Sequence, residues 1–218
     1  MIKMNKILSD VRHVCFDLDG TLIDSYLNIY NATVKTLEAL KIPGTFSQED
    51  FYNRIGHHFL DIFNDLKIPV PDIEHFIDIY KELYFDFIDD SELYPGVLEV
   101  LRYLNKNNIL ISLLTTKGQD QADRIIEHFN LSKYFSQIMG RRIGVPVKPS
   151  PEPLLMICRD LNILPSESMI TGDTELDIRC GISAKVKTCG VTYGYRTREV
   201  LEKENPNFII DKITSLIS

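Results

Sequence analysis

The feature that most limits how this chain can fold is a change of rhythm along it. From Tyr94-Pro95-Gly96 onward, short apolar runs alternate with helical patterns. A helix marked by Val97, Val100, Leu101 and Leu104 precedes a buried strand from Ile109 to Leu114, which ends in Thr115-Thr116-Lys117-Gly118. A helix with Ala122, Ile125, Ile126 and Phe129 follows, then an extended run at Ile138-Met139 and a helix from about Pro153 to Leu161. Ser168-Met169-Ile170-Thr171, Thr188 to Thr192 and Phe208-Ile209-Ile210 read as further strands, Asp177 to Ser183 as a helix, and a terminal helix follows the last strand. Such alternation predicts an α/β fold with a parallel sheet, right-handed crossovers and ligands beyond the carboxyl ends of the strands.

Before Tyr94 the pattern differs. Val11 to Phe16 is an apolar strand running into Asp17-Leu18-Asp19-Gly20-Thr21. From Tyr26 to about Ile88 the spacing is helical. Leu27, Tyr30, Val34, Leu37 and Leu40 predict one apolar face, Phe51, Ile55, Phe59, Ile62 and Leu66 a second, and Ile73, Phe76, Ile77, Tyr80, Tyr84 and Phe87 a third. Pro43-Gly44, Pro69 and Pro71 punctuate them. The expected organisation is a core of residues 1–24 and 92–218 interrupted by a helical block, 25–91. A length of 218 residues suits one domain carrying such an insert.

A net charge of −7 leaves no basic surplus to displace counterions from a nucleic acid. No stretch approaches the ~18 apolar residues of a membrane span. The basic start, Met1 to Lys6, has the charge of a leader peptide, but Ser9, Asp10, Arg12 and His13 interrupt the apolar run that should follow. Cys15, Cys158, Cys180 and Cys189 are widely spaced and form no C-x-x-C, which reads as reduced, mostly buried thiols. A cytoplasmic protein, monomer or dimer, that binds neither nucleic acid nor membrane is expected.

Four polar segments fall where this topology would put a site. Asp17 and Asp19 alternate and should project to one side, where two carboxylates repel unless a cation or proton separates them. Thr115-Thr116 closes a buried strand, so its hydroxyls could cap the next helix or hold a phosphate oxygen. Lys148, set among prolines at 149, 151 and 153, could be held rigidly near a pocket mouth. Asp173 and Asp177, in Gly172-Asp173-Thr174-Glu175-Leu176-Asp177, lie four apart at a helix start, where they could face one cavity or complement the helix dipole.

Taken together and in this order, Asp17-Leu18-Asp19-Gly20-Thr21, Thr115, Lys148 and Gly172-Asp173-(three)-Asp177 resemble the motif series of the haloacid dehalogenase superfamily of phosphohydrolases, in particular its phosphoglycolate phosphatase-like members. The resemblance runs from about Val11 to the last helix. It implies a Rossmann-like core with an inserted helical cap, and a magnesium-dependent phosphatase acting on a small phosphorylated metabolite. Asp17 would be the nucleophile that forms an aspartyl-phosphate, and Asp19 the general acid and base. Asp17, Asp173 and the Asp19 carbonyl would hold Mg2+, Asp177 would orient that shell, and Thr115, Thr116 and Lys148 would bind the phosphoryl oxygens. Many relatives carry Asn where this chain has Thr116. Dehalogenases lack the second aspartate, so Asp19 favours phosphoryl transfer.

Arg54-Ile55-Gly56-His57-His58 resembles the cap segment that contacts substrate in phosphoglycolate phosphatase-like proteins, which makes Arg54, Gly56 and His57 candidates for specificity; a solvated helix face is the alternative. Arg141-Arg142 either is solvated or meets a second anionic group of the substrate. A β-phosphoglucomutase-like sugar phosphomutase and an inorganic pyrophosphatase use the same chemistry and stay open. A non-catalytic regulatory protein of this fold is a remoter reading, since all six motif side chains are present.

Overall fold

The computed structural model describes residues 6–218; apart from Lys6, the basic start lies outside them. The chain divides into two compact units, one made of residues up to Leu22 together with Leu93–Ser218, the other of Ile23–Glu92. It passes from one to the other and back through β2 (Ile23–Asp24) and β3 (Glu92–Leu93), two short strands that pair as a small sheet.

The first unit is built on a six-stranded sheet: β1 (His13–Phe16), β4 (Leu110–Gly118), β5 (Gln137–Arg141), β6 (Ser168–Gly172), β7 (Lys187–Val191) and β8 (Phe208–Ile210). Their order is β5-β4-β1-β6-β7-β8, and every pairing described is parallel. The register sets Phe16 against Leu113 on one side and Thr171 on the other. From β1 the chain builds outward through β4 and β5, then returns to β6 on the opposite side. The switch point therefore lies between the carboxyl ends of β1 and β6, where an open α/β sheet leaves its binding crevice.

Helices α5 (Val97–Lys106), α6 (Gln119–His128), α7 (Glu152–Asp160), α8 (Glu175–Ala184) and α9 (Arg198–Lys203) connect the strands. Leu154, Ile157 and Cys158 of α7 and Cys180 and Ala184 of α8 pack with Cys15, Leu114, Met139 and Ile170 of one sheet face. The residues that alternate with these, Val14, Phe16, Leu113 and Met169, are fully buried as well, so both faces are covered. All four cysteines are buried and free. Among the described residues no helix is long and apolar enough to cross a membrane. The expected terminal helix is a 3-10 turn, Ile213–Leu216; its buried residues, Ile213 and Leu216, recur at the three-residue period of that helix.

The second unit holds α1 (Tyr26–Ala39), α2 (Gln48–Tyr52), α3 (Phe59–Leu66) and α4 (Ile73–Asp86). In α4 the expected face is buried through Phe76, Ile77, Tyr80 and Tyr84. In α1 it is displaced: Leu27 is 42% exposed, and the buried residues are Asn28, Ile29, Ala32, Thr33, Thr36 and Leu37. The Thr33 and Thr36 hydroxyls donate to the carbonyls of Ile29 and Ala32, each at 2.7 Å, so they enter the interior already satisfied. Phe51 to Leu66 is not one helix. Gly56, at φ +99°, turns the chain, and the His58 ring accepts from Leu60 N–H to start α3.

His13 begins β1 with no solvent exposure, its ring nitrogens 2.8 Å from Ser112 Oγ and 3.1 Å from Ser168 Oγ. Burial lowers its pKa from 6.5 to about 4. The unfolded chain therefore takes up a proton that the folded one refuses, and stability falls as pH drops from 6.5 toward 4, by on the order of 3 kcal/mol in all. Urea unfolding of wild type and His13→Gln across that range should show wild type losing stability relative to the variant as pH falls; parallel curves would refute the assignment.

Candidate active site

Asp17 follows β1 directly, and its N–H extends the ladder by donating to Thr171 O at 2.9 Å. Asp173 follows the neighbouring strand β6, and Asp177 lies in the first turn of α8. Lys148, from the loop between β5 and α7, joins them: its Nζ is 2.7 Å from Asp17 Oδ1 and 2.6 Å from Asp177 Oδ1. All four residues are buried. Asp17, Asp173 and Asp177 offer carboxylate oxygens that lie within 4.8 Å of one another, a group able to hold a metal ion.

Burial drives the electrostatics of this cluster. It raises the Asp17 carboxyl well above the usual range; Lys148 opposes the rise, and the charges of Asp177 and Asp173 add to it. Burial also pulls Lys148 downward, but the Asp17 and Asp177 carboxylates outweigh it and hold the ammonium above its normal pKa. Asp173 is raised to about 7 by burial and by Asp177, against the bonds it accepts from Tyr195 N–H and the Thr21 hydroxyl and the nearby charge of Arg196. Desolvated carboxylates crowded in this way are what a hard divalent cation relieves, and an all-oxygen donor set suits one.

The scaffold around Asp173 is tight. Thr21 Oγ1 donates to its Oδ1 at 3.0 Å and Tyr195 N–H to its Oδ2 at 2.8 Å. A Cβ on Gly20, which sits at φ +79°, would overlap the Asp173 carboxylate, and one on Gly194 would overlap both Gly20 O and Asp173. Asp177 is bonded on two sides. Its Oδ2 accepts from Thr174 N–H at 3.1 Å and Thr174 Oγ1 at 2.7 Å, the reciprocal half of a capping box, while its Oδ1 faces Lys148.

Asp19 does not join the carboxylate trio. Strand β1 ends at Phe16, so strict alternation stops before the acidic pair, and Asp19 Oδ2 lies 3.2 Å from Lys117 Nζ. Thr115 is buried near the carboxyl end of β4, and Thr116 is half-buried. Thr115 is not the cap of α6, which starts after Gly118; its Oγ1 accepts from Lys117 N–H at 3.3 Å.

A family model described as haloacid dehalogenase-like hydrolase matches residues 14–191. The chain belongs to that family. Among curated relatives of this haloacid dehalogenase-like hydrolase, pyrophosphatase PpaX of Bacillus cereus strain G9842 is 32% identical over 208 residues, 95% of each chain. Pyrophosphatase PpaX of Bacillus thuringiensis strain Al Hakam is 31% identical over the same length and coverage. A solved structure described as a predicted phosphoglycolate phosphatase from Haemophilus somnus 129PT superposes with a TM-score of 0.83, covering 93% of this chain and 95% of that one; at 24% identity it speaks to the fold alone.

In this haloacid dehalogenase-like hydrolase, Arg54, Gly56 and His57 belong to the helical unit. There Arg54 donates to Asp50 O and pairs with Asp65 Oδ2 at 3.7 Å, and Arg54 and His57 line an open pocket with Asn53, Asp61, Ile62 and Asp65. Arg142 is committed to structure: its Nε donates to Gln119 Oε1 at 3.0 Å and its NH2 to Ile138 O at 3.2 Å. Sequence reasoning missed Lys117 and Tyr195, and it gave no role to Thr21, the last residue of the first motif. Lys117 stood in view beside Thr115-Thr116, and the signal available was its position next to a strand-end hydroxyl pair.

Proposed function

We propose that this enzyme of the haloacid dehalogenase-like family is a magnesium-dependent phosphatase that hydrolyses a small phosphorylated metabolite, a phosphoglycolate-like phosphomonoester, through an aspartyl-phosphate on Asp17. The observation that carries the reading is the Asp17–Lys148–Asp177 bridge with Asp173 beside it: one carboxylate held against a buried ammonium, in a group suited to a metal.

Asp17 would attack phosphorus, with Lys148 holding it ionised despite its burial. Asp19 would protonate the leaving oxygen and then deprotonate the water that cleaves the aspartyl-phosphate. Thr115, Thr116 and Lys148 would hold the equatorial oxygens as charge builds on them. Asp17, the Asp19 carbonyl and Asp173 would hold Mg2+, with Asp177 positioned through Thr174 and Lys148. Bound Mg2+ supplies Lewis-acid polarisation of the phosphoryl group. Four buried free thiols support a reducing, cytoplasmic setting. A second reading, hydrolysis of inorganic pyrophosphate, is favoured by likeness over nearly the whole chain to proteins named for that activity.

The test is phosphate release from a panel of phosphoglycolate, sugar phosphates, pyrophosphate and nucleotides, ranked by kcat/KM, with chelator and with added Mg2+. Loss in chelator and return on Mg2+ addition are expected. Isomerised product without free phosphate would favour the mutase and overturn hydrolysis.

Metal affinity should depend on pH. The Asp173 carboxyl, raised to about 7, stabilises the metal-free fold at low pH, and that contribution is lost as pH rises from the unfolded value of 3.8 through 7. Only the ionised form binds metal. The rise in unfolding midpoint produced by a fixed Mg2+ concentration should therefore grow between pH 6 and pH 8, and a flat response would count against Asp173 as a ligand.

A further inference from the structure

Asp173 is braced along the chain from two directions. Glu175, two residues beyond it, opens α8, where a carboxylate complements the helix dipole. Arg196 lies in the loop between β7 and α9 and follows Tyr195, whose N–H donates to Asp173 Oδ2 at 2.8 Å. The two side chains meet. Arg196 Nε donates to Glu175 Oε2 at 2.9 Å, and the pair is only 8% and 13% exposed. The ion pair therefore joins the segment that carries Asp173 to the segment that bonds its carboxylate.

This pair also acts on Asp173 through its field. The Arg196 charge opposes the rise in pKa that burial gives the Asp173 carboxyl. Charges held this far from water are weakly screened, so they are felt by neighbouring groups that they do not touch. Arg198 and Glu202, 3.7 Å apart on the surface and 40% and 55% exposed, have no such reach. Lys148 spends its charge on Asp17 and Asp177 at 2.7 and 2.6 Å, whereas that of Arg196 falls on Asp173.

We propose that the Glu175–Arg196 pair sets how tightly the carboxylates of Asp17, Asp173 and Asp177 hold a divalent cation, Arg196 weakening the hold and Glu175 strengthening it. This rests on the reading of Asp173 as a Mg2+ ligand. Three desolvated carboxylates attract a dication strongly. A fixed guanidinium nearby subtracts from that attraction, and the carboxylate bonded to it returns part of the loss. The pair keeps the ion exchangeable while neither member serves as a ligand, so both are positioning residues.

The test is calorimetric titration of Mg2+ alone into the chelator-stripped full chain at pH 8, without substrate. Arg196→Met removes a positive charge and should tighten Mg2+ binding about tenfold, whereas Glu175→Gln removes a negative one and should weaken it about tenfold. The double variant, Glu175→Gln with Arg196→Met, should return to within about threefold of wild type, and Arg196→Lys should stay there as well. A merely structural pair behaves differently. Loosening the Asp173 loop would weaken binding in both single variants and in the double, and that result overturns the proposal. Unchanged affinity in every variant overturns it too. Deleting one member of a nearly buried pair also costs stability. Should Arg196→Met fail to fold, Glu175→Gln and the double variant still decide, because charge alone restores affinity when the second member is removed as well. Failure of the underlying reading is recognised separately: wild type itself then takes up no Mg2+, which overturns both.

Discussion

Asp17→Asn should release no measurable phosphate from any substrate, a loss of at least about 10⁴-fold in kcat, while its unfolding midpoint stays within a few degrees of wild type. An amide has nearly the shape of a carboxylate but lacks the electron pair that attacks phosphorus. The fold should tolerate the change because two effects offset. The variant loses the 2.7 Å contact with Lys148, but it no longer buries a carboxylate that burial and its acidic neighbours disfavour. Lys148 keeps Asp177 at 2.6 Å and is not left as an uncompensated buried charge. Acid quenching with radiolabelled substrate should trap label on wild type and none on the variant. Activity above about one per cent of wild type would place the nucleophile elsewhere.

Lys148→Met should behave in the opposite way and cost stability as well as turnover. It removes the Lys148 cation that bridges Asp17 and Asp177, both buried. Breaking a buried pair by deleting one partner costs about 3–5 kcal/mol, which for a chain of this size lowers the midpoint by about 10 °C. The loss should depend on pH with a definite sign. Without the ammonium the carboxyls hold their protons more firmly, so the variant's deficit narrows as the pH is lowered and the carboxyls become neutral. Mg2+ should recover part of it by binding the folded state. Melting curves at several pH values, in chelator and in Mg2+, read both effects. A deficit that is the same at every pH and in both media would show that Lys148 contributes packing rather than charge.

The core was legible because strands buried on both faces appear as continuous apolar runs, and because strand-helix alternation leaves few ways to order a parallel sheet. Asp17, Lys148, Asp173 and Asp177 were legible because charged side chains at strand ends and helix starts stand out against such runs. What escaped has physical reasons. Tyr195 acts through its backbone N–H, which no side-chain pattern encodes. Thr21 and Thr174 act through single hydroxyls of a type common in turns. Lys117 sits where β4 loses its register, so no period marks its direction. In α1, threonines that bond back to their own helix occupy the buried face that apolar spacing assigned elsewhere. The split of Asp17 and Asp19 between two lysines follows from a strand that stops at Phe16 and a turn closed by Gly20 at φ +79°.

The contact of Gly20, Asp173 and Gly194 has a consequence for how such a chain can change over generations. Three loops that follow β1, β6 and β7 meet there with no room for one added carbon on either glycine. A substitution that shifts one of these loops has to be absorbed by the other two, so the position of the Asp173 carboxylate is set jointly by all three.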